Sequence, residues 1–168
     1  YHVVHFDGHG TSGGLCFEKE EEWNKKVKIH STAIDARKLQ VINAKVLGGM
    51  IKDHRIPLFF LEACRSAVSE KDPTASVAGA LLNEGAASVG AMRYTVLVET
   101  TRMFVEVFYR ELAGGASIGE AMQAGHSELH SDPKRLKIFG AGQLELEDWF
   151  VPVLYQEKAD ITLFKGMA

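Results

Sequence analysis

Two residues have the reactivity of a nucleophile and a base, and each follows an apolar run. They are Cys64 in Leu61-Glu62-Ala63-Cys64-Arg65-Ser66 and His9 in Phe6-Asp7-Gly8-His9-Gly10. A thiol is a poor nucleophile until it ionises, so a cysteine that attacks a carbonyl needs an imidazole or other base beside it. Amide hydrolysis also needs donors fixed where the carbonyl oxygen gains charge. Backbone N–H groups in the Gly-rich turn after His9, with Gly10 allowing close approach, and the N–H of Cys64 would supply them. Asp7 stands two residues before His9, on the same face of an extended strand, where it could orient the imidazole. Its plainer reading is a loop-start aspartate in an Asx turn. A Cys and a His taken by type alone are more often a buried core thiol and a loop histidine, and at this level both readings stay open.

Chemistry requires a fold that brings the pair together. The run Tyr1-His2-Val3-Val4-His5-Phe6 is β-branched and aromatic and stops at Asp7-Gly8-His9-Gly10-Thr11-Ser12-Gly13-Gly14, which predicts a core strand running into a loop. Leu15-Cys16-Phe17, a charged turn from Glu18 to Lys26, and Val27-Lys28-Ile29 predict a small hairpin beyond that strand. From Asp35 to His54, Leu39, Val41, Ile42, Val46, Leu47, Met50 and Ile51 recur at helical spacing, with Asp35 as cap and Pro57 closing the region. A long amphipathic helix is expected there.

Leu58-Phe59-Phe60-Leu61 then reads as a strand buried on both faces and ends at Glu62-Ala63-Cys64. After it come a helix over Val77 to Leu82 that ends at Gly85, a small apolar strand from Ala86 to Met92, and helices around Thr100 to Ala113 and Ser117 to His130. The run from Trp149 to Tyr155 makes a last strand, with Pro152 favouring a sheet edge. Strands alternating with helices of this length predict an α/β layer with a mainly parallel sheet. In such sheets sites lie beyond the carboxyl ends of the strands. A right-handed crossover would bring the ends carrying His9 and Cys64 side by side, about 4.8 Å apart.

Composition bounds the function. The 168 residues are 46% hydrophobic and 24% charged, as in a soluble single domain, which excludes disorder and fibres. Lys and Arg total 19 against 22 Asp and Glu, so the basic excess of a nucleic-acid binder is absent. No apolar run approaches the roughly 20 residues of a membrane span. Cys16 and Cys64 are the only cysteines, too few for a disulfide scaffold, so free thiols and a cytoplasmic location are expected. Tyr1 opens inside a strand pattern with no charged n-region or cleavage site, so the chain is expected to be part of something longer.

Glu62-Ala63-Cys64-Arg65-Ser66 approaches the Gln-Ala-Cys-x-Gly signature of caspases, whose histidine lies roughly 50 residues upstream; His9 stands at that interval. A closer resemblance runs through Val4-His5-Phe6-Asp7-Gly8-His9-Gly10, Ala63-Cys64-Arg65-Ser66-Ala67, Gly85-Ala86-Ala87-Ser88-Val89-Gly90-Ala91-Met92, Phe108-Tyr109-Arg110-Glu111-Leu112-Ala113 and Trp149-Phe150-Val151-Pro152-Val153-Leu154-Tyr155. In this order the blocks resemble the C-terminal part of the CHAT domain, a caspase-like peptidase module found with TPR repeats, over almost the whole chain.

The resemblance implies an α/β, caspase-like three-layer sandwich with a mainly parallel sheet. It makes residues 1–168 the C-terminal part of the domain, with the N-terminal strands missing and an open sheet edge where they would pair. It also implies a catalytic dyad of His9 as base and Cys64 as nucleophile, with the Gly10 and Cys64 amides on the oxyanion and neither metal nor cofactor. Glu62 replaces the caspase glutamine that lines the pocket for the residue before the cut. A carboxylate there would favour Arg or Lys, with Asp7 nearby; the alternative is that Glu62 pairs with a neighbour such as Arg65 or Arg93.

The expected activity is that of a cysteine endopeptidase regulated by a partner or ligand. Its partners would be a protein or peptide substrate, the remainder of the caspase-like domain, and TPR or other repeats. Two rivals are a catalytically silent scaffold and a small-molecule cysteine hydrolase or amidotransferase, which would need a closed apolar pocket.

Two further patterns are weaker. Gly8-His9-Gly10-Thr11-Ser12-Gly13 matches G-x-G-x-x-G, with Asp35 about 20 residues on, yet the chain continues with Gly14-Leu15-Cys16-Phe17 and a charge run instead of an apolar-faced helix. His126 and His130 share a helical face like a zinc helix, but no glutamate stands where H-E-x-x-H needs it. His2 and His5 read as packing or edge histidines, and Trp149 and Tyr155 as core or rim aromatics.

Overall fold

The computed structural model describes residues 2–11, 14–19, 39–52, 54, 56–65, 73–94, 97–138, 142–157 and 159–165, those at 52, 63–65, 73–76 and 137–138 by backbone alone. Along the chain run β1 (Val3–Thr11), β2 (Gly14–Glu18), β3 (Leu39–Asn43), α1 (Ala44–Lys52), β4 (Leu58–Arg65) and α2 (Pro73–Asn83). They are followed by β5 (Ser88–Met92), α3 (Val98–Ala113), α4 (Ile118–Ser131), β6 (Lys134–Ile138), β7 (Gly142–Glu145) and β8 (Pro152–Gln156). One sheet has the order β3-β2-β1-β4-β5-β8, and β6-β7 form a separate hairpin. The β1–β4 and β4–β5 pairs are parallel, while β2 and β8 run antiparallel to their neighbours. Among the described residues no helix is long and apolar enough to cross a membrane.

Alternation along the central strands divides the core into two layers. Val4, Phe6, Phe59, Leu61, Val89 and Ala91 pack with Ala44, Leu47, Val77, Ala78 and Leu81, so α1 and α2 cover one face. Val3, Leu58, Phe60 and Met92 pack with Phe104, Phe108, Leu112, Ile118 and Met122, so α3 and α4 cover the other. This is the three-layer α/β sandwich of the caspase-like class. The helices end where the sequence places their stops: Gly85 takes a φ of 106° after α2, and Ser117 with Glu120 forms a capping box at the start of α4.

Several expectations are corrected. Leu39, Val41 and Ile42 belong to a strand, and the helix begins only at Ala44; β-branched residues favour extended backbone, and full pairing of β3 with β2 overrides the helical spacing. Residues 7–11 of the Gly-rich stretch are not a loop, because β1 continues to Thr11, held extended by β2 over His9–Thr11. Consequently Leu15-Cys16-Phe17 lies in the main sheet instead of a peripheral hairpin; Val27-Lys28-Ile29 and Asp35 fall outside the described residues.

The expected open edge of β1 is closed by β2 at its carboxyl end, where residues 9–11 pair. Trp149 and Phe150 form a turn, and β8 begins at Pro152, on the sheet edge its ring favours. The β6–β7 hairpin is not evident from the sequence. It is tied down by Arg135, whose buried guanidinium pairs with Asp148 and reaches the Leu129 carbonyl, while Thr100 of α3 donates to the same aspartate.

Two glycines are required by close approach. A Cβ on Gly14 would overlap the Ile42 carbonyl oxygen, and one on Gly90 would stand 2.6 Å from the ring of fully buried Phe60. Gly90→Ala is therefore expected to lower unfolding free energy by about 1–3 kcal/mol through overpacking. Urea denaturation of the variant beside the parent checks this.

Candidate active site

The working part of the sheet is a set of register pairs near the carboxyl ends of β1 and β4. His5 pairs with Phe60, Asp7 with Glu62, and His9 with Cys64. The alternation that puts Val3, Leu58 and Phe60 on the α3–α4 side places positions 5, 7, 9, 62 and 64 in the same phase. The sheet thus changes along its length from apolar to ionisable on one face, and position 64 is the direct neighbour of His9.

His9 has a second neighbour that the sequence does not suggest. Its antiparallel partner on β2 is Cys16, a half-buried free thiol. A row of Cys16, His9 and Cys64 therefore crosses three adjacent strands. Among the described residues, His9 Nδ1 is the one buried side-chain polar atom without a hydrogen-bond partner. Leaving such an atom unpaired costs about 1–3 kcal/mol, and a catalytic role is one reason a native structure keeps one. Gly10 stands opposite Leu15 on one side and Arg65 on the other. Its amide is therefore in the sheet ladder, not in the open turn the glycines suggest.

Glu62 Oε1 lies 2.9 Å from His5 Nε2, within hydrogen-bond distance. On the other side of the ring, His5 Nδ1 is 2.8 Å from the Tyr109 hydroxyl. The imidazole stacks on Tyr109, with centroids 5.6 Å apart, and leans on Phe60 at 5.2 Å. Burial, with the Glu62 carboxylate adding to it, pushes the Tyr109 phenol up to about 12. That hydroxyl therefore keeps its proton across the ordinary pH range.

The sequence alone makes His5 a packing or edge histidine, and Tyr109 stands out only within a block of resemblance. The alternation of His5, Asp7 and His9 along one strand is the available signal for His5. Nothing local marks Tyr109, which arrives from α3 through tertiary packing. The nucleotide pattern fails on geometry, since Gly14 begins a strand where that fingerprint needs a helix. His126 Nε2 contacts the Pro152 carbonyl at 2.8 Å, and His130 lies against Trp149.

A family model for the CHAT domain matches residues 1–156. No curated protein matches the chain.

Replacing Tyr109 with Phe removes the partner of His5 Nδ1 and is expected to cost about 0.5–1.5 kcal/mol at neutral pH. The raised phenol also has a pH signature. Its stabilising contribution is complete below the ordinary value of 10.0 and is lost as pH rises through about 12. Between those pH values the parent should lose more stability than Tyr109→Phe, as read from denaturant midpoints at each pH.

Proposed function

The chain belongs to the CHAT domain family, and from that premise we propose that it is the catalytic part of a caspase-like cysteine endopeptidase. The observation that carries the reading is the register pairing of His9 with Cys64, joined to the unpartnered His9 Nδ1. In this reading His9 takes the thiol proton, and the Cys64 sulfur bonds to the scissile carbonyl carbon. The amides of Cys64 and Gly10 hold the tetrahedral oxyanion. Collapse breaks the C–N bond as the imidazolium returns its proton to the departing amine. Water, deprotonated by His9, then hydrolyses the thioester and restores the thiol. The substrate is a protein or peptide.

Glu62 and Asp7, two register positions from the dyad, form the subsite for a basic residue before the cut. Two facing carboxylates attract an ammonium or guanidinium, and a guanidinium can engage carboxylate oxygens in a bidentate manner. Gly10 sits in the ladder between β2 and β4, so its amide would reach an oxyanion only after a local rearrangement of that end of the sheet, as in a regulated enzyme. A partner or ligand that orders this end of the sheet would turn the enzyme on.

The test is labelling of the full-length protein, with its partners present, by an acyloxymethyl-ketone peptide carrying Arg at the cleavage position. Adducts would be mapped by mass spectrometry beside Cys64→Ala and His9→Ala. The expected result is an adduct on Cys64 that vanishes in Cys64→Ala and forms at least about 100-fold more slowly in His9→Ala. No adduct with Arg, Asp or Leu probes on folded protein would replace this reading with that of a silent interaction scaffold.

A further inference from the structure

His5 is held at both ring nitrogens, and the direction of those bonds decides what its partners can do. We propose that Tyr109 and His5 form a positioning relay that holds the Glu62 carboxylate in one orientation and so sets the selection of a cationic over a neutral substrate side chain. This rests on the peptidase reading and deepens its subsite.

Tyr109, on α3, keeps its phenolic proton and lies 2.8 Å from His5 Nδ1. The opposite ring nitrogen, Nε2, lies 2.9 Å from Glu62 Oε1, so one imidazole bridges the phenol and the carboxylate. An imidazole wedged in this way fixes where the carboxylate sits through a single N–H contact, whereas a flexible Lys side chain in its place would not be held by ring packing. Only Oε1 is engaged by this bond, and the Glu62 side chain retains 18% of its exposure. The side chain is therefore not sealed off from solvent.

Position is fixed from both sides. The His5 ring is wedged between Phe60 of the sheet and Tyr109 of α3. Phe104, stacked on Phe60 and Phe108, and Phe108, tilted against Phe60, anchor that helix. Asp7 adds a second carboxylate directly across from Glu62. Like charges in register repel, and an incoming cation relieves that repulsion where a neutral group does not.

Paired peptides differing only in arginine or its neutral isostere citrulline at the cleavage position test the relay. The readouts are kcat and KM for the full-length protein and for His5→Ala, His5→Gln, Tyr109→Phe and Glu62→Gln. The parent should favour arginine, and Glu62→Gln should abolish the preference. His5→Ala should lower the arginine-to-citrulline ratio about tenfold, with the loss falling on KM. His5→Gln, whose amide N–H can donate to Glu62, should recover most of it, and Tyr109→Phe should fall between. Equal losses for both peptides in His5→Ala and Tyr109→Phe, or an unchanged ratio in both, would overturn the relay while leaving the peptidase intact. Absence of both turnover and a Cys64 adduct in the parent would overturn the peptidase reading, and the relay with it.

Discussion

In a strand whose side chains alternate, a residue has two faces to choose from, and a slip of one position sends the whole set to the wrong one. The β1–β4 pair allows no slip, because Leu58 to Leu61 of β4 are buried on both faces of the sheet. Phe59 and Leu61 are committed to the α1–α2 layer, and Leu58 and Phe60 to the α3–α4 layer. The parallel ladder continues without interruption from Val3–Leu58 to Gly10–Arg65. Apolar packing at one end of the strands therefore determines which residues meet at the other, and the meeting of His9 with Cys64 is a consequence of where Leu58 and Phe60 are buried.

The same face changes character over a short distance. Val3 and Leu58 are core; His5 and Phe60 are an aromatic step between core and site; Asp7 with Glu62 and His9 with Cys64 are ionisable pairs. The aromatic step lets this happen without a gap in packing. An imidazole offers a ring to Phe60 and Tyr109 and polar edges to Glu62 and the phenol, so apolar contact and hydrogen bonding are satisfied in one residue. Fixing α3 matters for the same reason, since Tyr109 contributes from that helix. The buried Arg135–Asp148 pair, sharing its aspartate with Thr100, ties α3 to the segment beyond α4.

Much of this is legible in the sequence, for physical reasons. Leu58-Phe59-Phe60-Leu61 is unambiguous as a two-sided strand, the stops at Gly85 and before Ser117 are backbone requirements, and Pro152 belongs on an edge. The features that escape depend on pairing. Leu39, Val41 and Ile42 satisfy a helical period as well as a strand pattern, and only the presence of β2 decides between them. The glycines around His9 read as a turn because local sequence cannot report a neighbouring strand that holds them extended. At the site, His9, Cys64, Asp7 and Glu62 are visible as types at strand ends. Their lateral neighbours Cys16, His5 and Tyr109 become neighbours only through the sheet and the α3 contact.

Asp7 and Glu62 facing one another across a parallel pair are a local conflict in a strand that is otherwise self-consistent. Like charges in register weaken a sheet, and natural sequences accept such inconsistencies mainly where function requires them. A neutral residue at position 7 would relieve that conflict and leave the His5–Glu62 contact in place. Drift under selection for folding alone would therefore erase this pair early, long before it touched the aromatic and aliphatic residues beneath it. A lineage could then lose its preference for charge while its fold, its dyad register and its core stayed as they are.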